Sequence, residues 1–380
     1  MPSLMHVLLV GNYEPDAQQS MQRYAVWLRG VLEARGHRVT VVKPWPFFSR
    51  LARHPQLIKY LGYLDKFLLF PPRLRRVAKT CDLVHIVDHS NSMYLRTVRG
   101  KPTLITCHDV LAIRGAQGQF PQCPTGWSGK LLQRWILSGL RRARHVLCVS
   151  AKTAADLKTL TGETGAQIRV VHNALTWNYR PGAALPEVLN SRLGLPPGQP
   201  YFLHVGGNQW YKNRAGVLRI FARVAAMDEF SRAILVMAGK PLPPALLDVI
   251  REERLNGRVI QAPGVTNEEL QALYGNALAL LFPSLEEGFG WPIVEAQACG
   301  CPVITSGRPP MSEVAGEAAI FIDPTDPEAA AAAVVAGLER RERLRDAGLC
   351  NVKRFDEETI ANQYFAFYEE ILAEEPISAP

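Results

Sequence analysis

Short runs of apolar, often β-branched residues alternate along the chain with stretches whose apolar positions recur at helical spacing. Residues 20–35 show that helical spacing and are followed by Gly36, a residue type that commonly ends a helix. Six runs in the first half predict strands, at residues 6–10, 39–42, 83–87, 103–106, 146–149 and 168–171. Short apolar strands separated by amphipathic helices are typical of a parallel sheet with helices on both faces.

A stretch rich in proline and glycine, residues 181–200, interrupts this alternation and is typical of a linker. Thr266 and Glu269 then form a capping-box pattern that predicts the start of a helix, and a last helix is predicted over about 357–372. Further strands are predicted at residues 201–205, 234–237, 259–261, 278–282, 303–305 and 320–322.

With 380 residues, the chain exceeds the roughly 250–300 residues at which a single hydrophobic core stops growing, so two domains are expected. The pattern predicts a first domain over residues 1–185, a second over 186–355, and a C-terminal helix in 356–380 that can pack back on the first domain. The predicted fold class is therefore α/β, with two Rossmann-like doubly wound domains.

Composition excludes several classes of protein. Hydrophobic residues make up 47% of the chain and charged residues 21%, unlike a disordered chain, a collagen or a disulfide scaffold. No apolar run reaches the roughly 18 residues of a spanning helix, and the first residues lack the basic start and cleavage site of a signal peptide. Seven cysteines without a CxxC pair favour a reduced compartment, so we expect a cytoplasmic protein.

Positive charge is concentrated in the first half. Residues 1–180 carry 26 Lys and Arg against nine Asp and Glu, whereas residues 181–380 carry 17 against 26, within a net charge of +8. A basic half favours an anionic partner such as nucleic acid, phospholipid or a phosphorylated substrate, although it can also serve only to keep the surface solvated. Residues 57–79 combine six basic residues and a single acid, Asp65, with Leu, Phe and Tyr. This pattern fits a helix lying on an anionic membrane, or an ordinary helix that packs on the sheet.

The residues most informative about chemistry are 282–306, FPSLEEGFGWPIVEAQACGCPVITS, which begin at the end of a predicted strand. Glycines bracket a turn at 288–290, and Pro292 suits the first turn of a following helix. Such a turn presents backbone N–H groups that can bind an anion or hydroxyl groups. Glu287 and Glu295 flank the turn with seven residues between them, so both carboxylates can face one crevice.

The segment 287–303, EGFGWPIVEAQACGCPV, resembles the E-x7-E signature of the retaining glycosyltransferases of family 4. Other patterns of that family are matched at residues 205–213, 264–284 and 313–328, and more loosely at 105–109 and 146–157. The resemblance implies the GT-B fold, in which two Rossmann-like domains bind a nucleotide sugar in the cleft between them. It also implies a hexosyltransferase that needs neither a metal ion nor a cofactor.

The resemblance assigns roles to single residues. Glu295 would accept hydrogen bonds from the ribose hydroxyls of the donor, and Glu287 would hold hydroxyls of its sugar. Lys212 would lie against the diphosphate and stabilise the charge of the leaving group, and His108 would reach the donor sugar from the first domain. The catalytic residues implied are therefore Glu287, Lys212 and His108. The further residues expected to bind the donor are Gly206, Gly207, Asn208, Arg214, Gly288, Phe289, Gly290 and Trp291.

The chain also departs from the family. Residues 207–208 are Gly and Asn where many members have an Arg, and Tyr211 stands where an Arg often precedes the lysine. We therefore expect Arg214 to supply the second cation. The family's Gly-Gly turn after the first strand is replaced by residues 16–20, and Trp291 replaces an aliphatic residue, which can alter the choice of sugar.

The function implied by the resemblance is transfer of a hexose, with retention, from a GDP- or UDP-sugar to a glycan or a lipid-linked saccharide. The form Tyr211-Lys-Asn resembles the mannosyltransferases of the family, and the basic half favours an anionic membrane surface as a partner. One alternative is a non-catalytic protein that uses the basic half on nucleic acid or membrane, although no recognised nucleic-acid motif is present, so we expect no nucleic-acid partner. A sugar-nucleotide epimerase of similar architecture is another, and an oxidoreductase is disfavoured because no GxGxxG follows a first strand.

Overall fold

The computed structural model describes residues 4–162 and 165–374, which fold into two compact units. One unit comprises the described residues up to His172 together with those from Glu358 onward, and the other comprises Asn173–Glu357. Within the described residues each unit holds a six-stranded sheet in which every pair of neighbouring strands is parallel. The expected α/β class with two doubly wound domains is confirmed.

In the first unit the strand order is β2-β1-β3-β4-β5-β6. The strands are β1 (His6–Val10), β2 (Arg38–Val42), β3 (Leu83–Ile86), β4 (Thr103–Cys107), β5 (His145–Cys148) and β6 (Gln167–Val170). The helices are α1 (Gln19–Ala34), α2 (Pro55–Leu64), α3 (Phe70–Ala78), α4 (Leu111–Ala116), α5 (Trp127–Leu140) and α6 (Ala151–Thr161). The central strands β3, β4 and β5 are almost wholly buried, as their continuous apolar runs predict for a sheet covered on both faces.

In the second unit the order is β12-β11-β10-β7-β8-β9. The strands are β7 (Tyr201–Gly206), β8 (Ile234–Gly239), β9 (Val259–Pro263), β10 (Ala279–Phe282), β11 (Val303–Ser306) and β12 (Ile320–Ile322). The helices are α7 (Glu187–Leu193), α8 (Arg214–Ala225), α9 (Pro244–Glu252), α10 (Asn267–Asn276), α11 (Trp291–Ala298), α12 (Met311–Ala315), α13 (Pro327–Leu338) and α14 (Arg341–Asn351). The predicted capping box at the start of α10 is confirmed, with both of its hydrogen bonds formed.

The last helix, α15 (Glu357–Glu374), belongs almost entirely to the first unit. Tyr24 of α1 donates a hydrogen bond to the Tyr364 hydroxyl at 2.9 Å. Tyr368 lies 2.6 Å from Nδ1 of His85 in β3, a buried strand position. The chain therefore returns to its first unit after completing the second.

The division between the units falls at 172/173, whereas the proline- and glycine-rich composition predicted 185/186. Residues just beyond His172 are held within the second unit: the Leu175 amide donates to the Phe355 carbonyl at 3.0 Å, and the Tyr179 ring packs on Tyr274. The stretch predicted as a linker also contains helix α7. Its prolines and glycines flank this short helix, so composition alone places the boundary later in the chain than the compact units do.

The segment predicted as one amphipathic helix over residues 57–79 consists of α2, a π-helical turn over Asp65–Leu69, and α3. The interpretation as a helix that packs on the sheet holds for α3. On α3, Phe70 and Leu74 are buried in the core, whereas on α2 Leu57 and Tyr60 are half exposed to solvent. Among the described residues, no helix combines the length and the apolar character that crossing a bilayer requires.

Candidate active site

The sheet of the second unit changes direction between β7 and β10. From β7 the order runs through β8 to β9, and from β10 it runs the other way through β11 to β12. The connections that leave the carboxyl ends of these two neighbouring strands therefore diverge and open a crevice, which is where doubly wound sheets bind ligands. Gly206 ends β7, and Ser284 and Glu287 follow β10, so the predicted site residues lie at this switch point.

The connection after β7 passes close to the neighbouring strand. Gly239, the last residue of β8, has φ of +119°, and a Cβ added there would lie 2.2 Å from the Gly206 carbonyl oxygen. Asn208 fastens the same connection by donating to the Pro241 carbonyl at 2.9 Å, while Gly207 lies between these two contacts in the chain. The glycine-rich segment after the strand is thus held by backbone contacts to the end of β8.

Lys212 and Glu287 form an ion pair inside this crevice. Nζ of Lys212 lies 2.6 Å from Oε1 of Glu287, and the two side chains are only 15% and 8% exposed. Ser284 donates a hydrogen bond to the same carboxylate oxygen at 2.9 Å, and the lysine lies over the Phe282 ring. The resemblance assigns the lysine and the carboxylate to different parts of the donor, and in the structure they also hold each other in place. Oε2 of Glu287 has no hydrogen-bond partner among residues 4–162 and 165–374, so it remains an open acceptor.

Arg214, the first residue of α8, is a second cation in the crevice. It is 96% buried, and its Nη1 donates to the Lys240 carbonyl at 2.8 Å and to Asn208. Its Nε and Nη2 are buried and have no hydrogen-bond partner in the described part of the chain. Burial lowers the pKa of Arg214 below its ordinary value, and a helix N-terminus is itself unfavourable for a cation. Two unused donors on a buried cation indicate a place built for an anion.

His204, near the end of β7, lies beside these two cations. Burial lowers its pKa to about 3, and the charges of Arg214 and Lys212 act in the same direction. Its Nδ1 contacts the Leu281 carbonyl at 3.0 Å, while the buried Nε2 has no hydrogen-bond partner among the described residues. The imidazole is therefore neutral at physiological pH, and it does not add to the positive charge of the crevice.

The turn between β10 and α11 has the conformation that its glycines predict. Gly290 precedes α11 with φ of +108°, and Pro292 lies in the first turn of that helix. Phe289 is buried against Phe355, with ring centroids 5.6 Å apart, and Gly288 precedes it at a half-buried position. Trp291 donates its indole N–H to the Ala174 carbonyl at 3.2 Å. Both aromatic rings thus help to fix the conformation of the turn.

Glu295 lies on α11, one turn further along, and is 97% buried. The Tyr274 hydroxyl, at the end of α10, donates to its Oε2 at 3.1 Å. Burial raises the pKa of Tyr274 well above its ordinary value, and the carboxylate charge adds to this, so the tyrosine stays a donor. The tyrosine therefore orients the carboxylate that the resemblance assigns to the ribose.

In the first unit, polar side chains gather at the corresponding edge of the sheet. Asn12, Asp88 and His108 follow the carboxyl ends of the adjacent strands β1, β3 and β4. Asn12 donates to Asp88 through Nδ2 and accepts from Asn91 at 3.1 Å. The Asp88 carboxylate also contacts the His89 ring at 3.1 Å. These groups are buried, and hydrogen bonds link Asn12 to both Asp88 and Asn91.

One ring nitrogen of His108 is left unused by the surrounding groups. It is 96% buried, and its Nε2 lies 2.9 Å from the Val87 carbonyl, which requires a proton on that nitrogen. Its buried Nδ1 has no hydrogen-bond partner within the described residues. Burial lowers the pKa of His108 below its ordinary value, and the attraction of Asp88 only partly opposes this. Nδ1 is therefore an acceptor suited to a hydroxyl group.

Burial alone would raise the pKa of Asp88, but the hydrogen bond from His89 and the charge of that ring hold it well below its usual range. The carboxylate is thus charged at physiological pH. For His89 the effects run the other way: burial would lower its pKa, and Asp88 raises it above the ordinary value. Asp88 and His89 therefore form a charge-coupled pair next to the neutral His108.

No group of three or more His, Cys, Asp and Glu side chains is arranged for a metal ion among the residues that the structure describes. The two neighbouring cysteines of the signature segment, Cys299 and Cys301, are buried. Burial raises the pKa of Cys301 to about 12 and that of Cys299 further. Both remain thiols that pack in the core at physiological pH.

Three residues of the crevice were missing from the sequence analysis: His204, Tyr274 and Ser284. Ser284 carried a usable signal, because it lies just two residues beyond the end of a predicted strand, at the edge where ligands bind. His204 and Tyr274 carried none, since both lie within apolar runs and contact the site only through the tertiary fold.

Two family models match this chain. The model described as glycosyl transferases group 1 matches residues 187–348, and the model described as glycosyltransferase family 4 matches residues 21–176. The first covers most of the second unit and the second covers most of the first unit up to His172. Together the matches favour a transferase over the non-catalytic binding protein, the epimerase and the oxidoreductase considered above.

The chain is also similar to individual proteins. It is 26% identical over 333 residues to the O-antigen chain mannosyltransferase B of Escherichia coli, and the match covers 84% of each chain. Among solved structures, sucrose-phosphate synthase of Thermosynechococcus elongatus superposes with a TM-score of 0.77 at 19% identity, covering 97% of this chain and 100% of that one. Alr3699/HepE of Anabaena, crystallised with UDP and glucose, gives a TM-score of 0.70 at 16% identity, covering 96% and 100%. These structures share the expected GT-B fold.

Proposed function

This chain belongs to the group 1, family 4 glycosyltransferases, and we propose that it transfers a hexose from a nucleotide-diphosphate sugar to a glycan or lipid-linked saccharide. We propose further that the transfer retains the anomeric configuration and needs no metal ion. The observation that carries the proposal is the crevice at the switch point of the second unit. There Lys212 pairs with Glu287, the buried Arg214 has unused donors, and the buried Glu295 lies on the helix that follows the turn.

The two cations are proposed to hold the diphosphate. The unused Nε and Nη2 of Arg214 can donate to phosphate oxygens, which accept paired hydrogen bonds from a planar guanidinium. A bound anion would also relieve the cost of burying this cation beside Lys212. Because the leaving group gains negative charge as the sugar departs, Lys212 would stabilise it more strongly in the transition state than in the ground state.

The two carboxylates are proposed to hold hydroxyl groups. Glu295, oriented by Tyr274, offers acceptor oxygens to the vicinal hydroxyls of the ribose. Glu287 keeps Oε2 open for a hydroxyl of the donor sugar while its Oε1 is occupied by Lys212 and Ser284. A carboxylate already engaged in an ion pair is a weak nucleophile, which supports binding as the role of Glu287.

The first unit is proposed to contribute His108 to the donor sugar. Its neutral ring has a proton fixed on Nε2 by the Val87 carbonyl, so Nδ1 can accept a hydrogen bond from a sugar hydroxyl. With no side chain assigned as nucleophile, we propose attack by the acceptor on the face that the diphosphate leaves. The departing diphosphate would then take the proton of the acceptor hydroxyl, which balances the reaction without a separate base.

We propose mannose as the sugar, with GDP-mannose as the first donor to test. The support is the similarity to a mannosyltransferase of O-antigen chains and the Tyr211-Lys-Asn form of the lysine segment. A UDP-sugar is the competing donor, because the similar HepE structure contains UDP. A glycan acceptor carried on a lipid would place the enzyme at the cytoplasmic face of a membrane, and the basic first half suits peripheral association there.

The test is a thermal-shift panel with GDP, UDP and ADP, with the corresponding nucleoside monophosphates, and with the corresponding nucleotide sugars. Each ligand is measured with and without EDTA. A ligand at 100 times its dissociation constant should stabilise the protein by about 2.7 kcal/mol. We expect one nucleotide diphosphate to raise the Tm regardless of EDTA. In Arg214→Gln its affinity should fall about tenfold, with less effect on the monophosphate.

The matched control is Arg219→Gln on the same helix, where the side chain is 46% exposed. Its nucleotide affinity should stay at the wild-type value. If no nucleotide raised the Tm, or if both variants lost nucleotide affinity equally, the proposed diphosphate site would be contradicted. A shift that disappears with EDTA would contradict metal independence alone.

A further inference from the structure

A cavity of about 380 Å³ lies in the first unit, away from the candidate active site. Its basic lining residues come from two separate parts of the chain: Arg96, Arg99, Lys101, Arg142 and Arg144. No acidic side chain lines it among the described residues. A concave site with cations on several sides attracts anions more strongly than scattered surface charges do.

The cavity lies at the opposite edge of the sheet from the predicted catalytic residue. Thr103, the first residue of β4, lines it, whereas His108 follows the other end of that strand. Five residues of strand separate these positions by about 16 Å. The cavity is therefore distinct from the site proposed for the donor sugar.

Parts of the cationic lining are held in place by backbone groups. Lys101 donates to the carbonyls of Lys79 and Cys81, at 3.2 and 2.9 Å. Arg142 donates to the Ser138 carbonyl at 2.8 Å. These partners are neutral, so they orient the cations without cancelling their charge.

Exposed apolar side chains continue the cavity on one side. Trp135 lines it, and Trp127 and Leu131 lie on the same face of α5, where they are 77% and 60% exposed. Spacings of four residues place all three along one stripe of a helix. The Phe67 ring packs on Trp135, with ring centroids 4.7 Å apart. The next residue, Leu68, is 61% exposed. A row of exposed aromatic and aliphatic side chains beside a cationic cavity is unusual for a surface that only faces water.

We propose that this cavity binds the phosphate of an anionic phospholipid headgroup while the apolar stripe enters the acyl region of the membrane. The inference rests on the peripheral membrane association proposed above, and it identifies the surface that would contact the membrane. A free phosphate would use the cations but not the stripe, and a nucleic acid could stack on the tryptophans but not on Leu131 and Leu68. Of these three ligands, only the lipid has chemistry for both parts of the surface.

The direction of α5 links this surface to the proposed reaction. The helix leads from the carboxyl edge of β4 back to the amino end of β5, so Trp127 lies toward the edge of His108 and Arg142 toward the cavity. Fourteen residues of helix span about 21 Å between these ends. A membrane bound along the stripe would bring a lipid-linked acceptor near the carboxyl edge of the first unit.

The experiment is sedimentation of the full chain with vesicles of phosphatidylcholine, with and without about a third of phosphatidylglycerol, at near-physiological salt. We expect binding only to the anionic vesicles. Arg96→Gln/Arg99→Gln should weaken this binding about 30-fold, since each basic residue near an anionic surface contributes about fivefold. Trp127→Ala should weaken it as well, while Val188→Ala, at an exposed position of the second unit, should not.

Arg340→Gln/Arg343→Gln is the matched control, because these exposed residues have the same spacing and lie on the second unit. Equal binding by the Arg96/Arg99 variant and the wild type would overturn the cavity as the lipid site while leaving membrane association intact. No binding of the wild type to anionic vesicles would overturn both. Neither result affects the nucleotide-induced Tm shift, which reports on the donor site separately.

Two further arms distinguish other ligands. Inorganic phosphate at constant ionic strength should compete only weakly with the vesicles, and stabilisation by phosphate without vesicle binding would identify a site for free anions instead. A single-stranded oligonucleotide should bind no more tightly to the wild type than to the Arg96/Arg99 variant. Tight binding that the double substitution removes would overturn the lipid in favour of nucleic acid.

Discussion

The carboxyl edges of the two sheets differ in chemistry, although both sheets are parallel and six-stranded. In the second unit the edge holds the buried cation Arg214 with unused donors beside the Lys212–Glu287 pair. In the first unit the edge holds the charged Asp88, satisfied by its neighbours, and the neutral acceptor His108. One edge is therefore suited to an anion and the other to hydroxyl groups. Since both edges are formed by the carboxyl ends of parallel strands, the difference comes from the connections that follow the strands.

The largest effect is expected from Lys212→Ala, which removes the cation proposed to stabilise the leaving diphosphate. We expect turnover to fall about a thousandfold, as when a charge-stabilising group is removed elsewhere. The variant also leaves Glu287 buried without its partner, so the unfolding free energy should be measured alongside. Lys240→Ala, at an exposed neighbouring position, should retain activity. Equal activity in both variants would contradict the electrostatic role that distinguishes the edge of the second unit from that of the first.

The next effect tests the first unit through His108→Gln. The glutamine amide can still donate to the Val87 carbonyl, but the acceptor at the position of Nδ1 is lost. We expect turnover to fall about 10- to 100-fold while the affinity for the nucleotide diphosphate is unchanged. Steady-state kinetics and nucleotide binding separate the two quantities, with the exposed His54→Gln as control. A loss of nucleotide affinity would contradict the division of roles between the edges.

The smallest effect concerns stability and pH, where the two units should behave alike. Burial lowers the pKa of His85 in the first unit and of His204 in the second to about 3. The unfolded chain takes up these protons first as the pH falls, so each histidine should cost about 2 kcal/mol of unfolding free energy between pH 7 and pH 5. His204→Asn keeps a donor for the Leu281 carbonyl and should abolish the part of the pH-dependent loss of unfolding free energy that is due to His204. Denaturant unfolding at several pH values measures the slope, and an unchanged slope would show that His204 does not titrate on unfolding.

The strand pattern was predictable because it depends on local composition. All twelve predicted strands are found, with ends shifted by at most two residues at positions such as the end of β8. The turn at Gly290 and the helix start at Pro292 were equally readable, since glycine and proline restrict or permit particular backbone angles. The structure of segment 57–79 was harder to predict, because some of its apolar side chains are buried in the core and others are exposed to solvent.

The partners of the site residues could not be read in the same way. Lys212 and Glu287 lie 75 positions apart, and only the adjacency of β7 and β10 brings them within 2.6 Å. Tyr274 reaches Glu295 by the packing of α10 beside α11. A signature segment identifies which residues matter, but the contact between two distant segments depends on the strand order.

By itself the sequence determined the α/β class, the twelve strands, the signature segment 287–295 and the basic character of the first half. These depend on side-chain chemistry and on spacing along one stretch of chain. Only the tertiary structure decided which donors of Arg214 remain unused and that the cations around residues 96–101 and 142–144 line a single cavity. Burial and charge concentration are properties of space rather than of sequence order, because both depend on atoms that folding brings from distant positions.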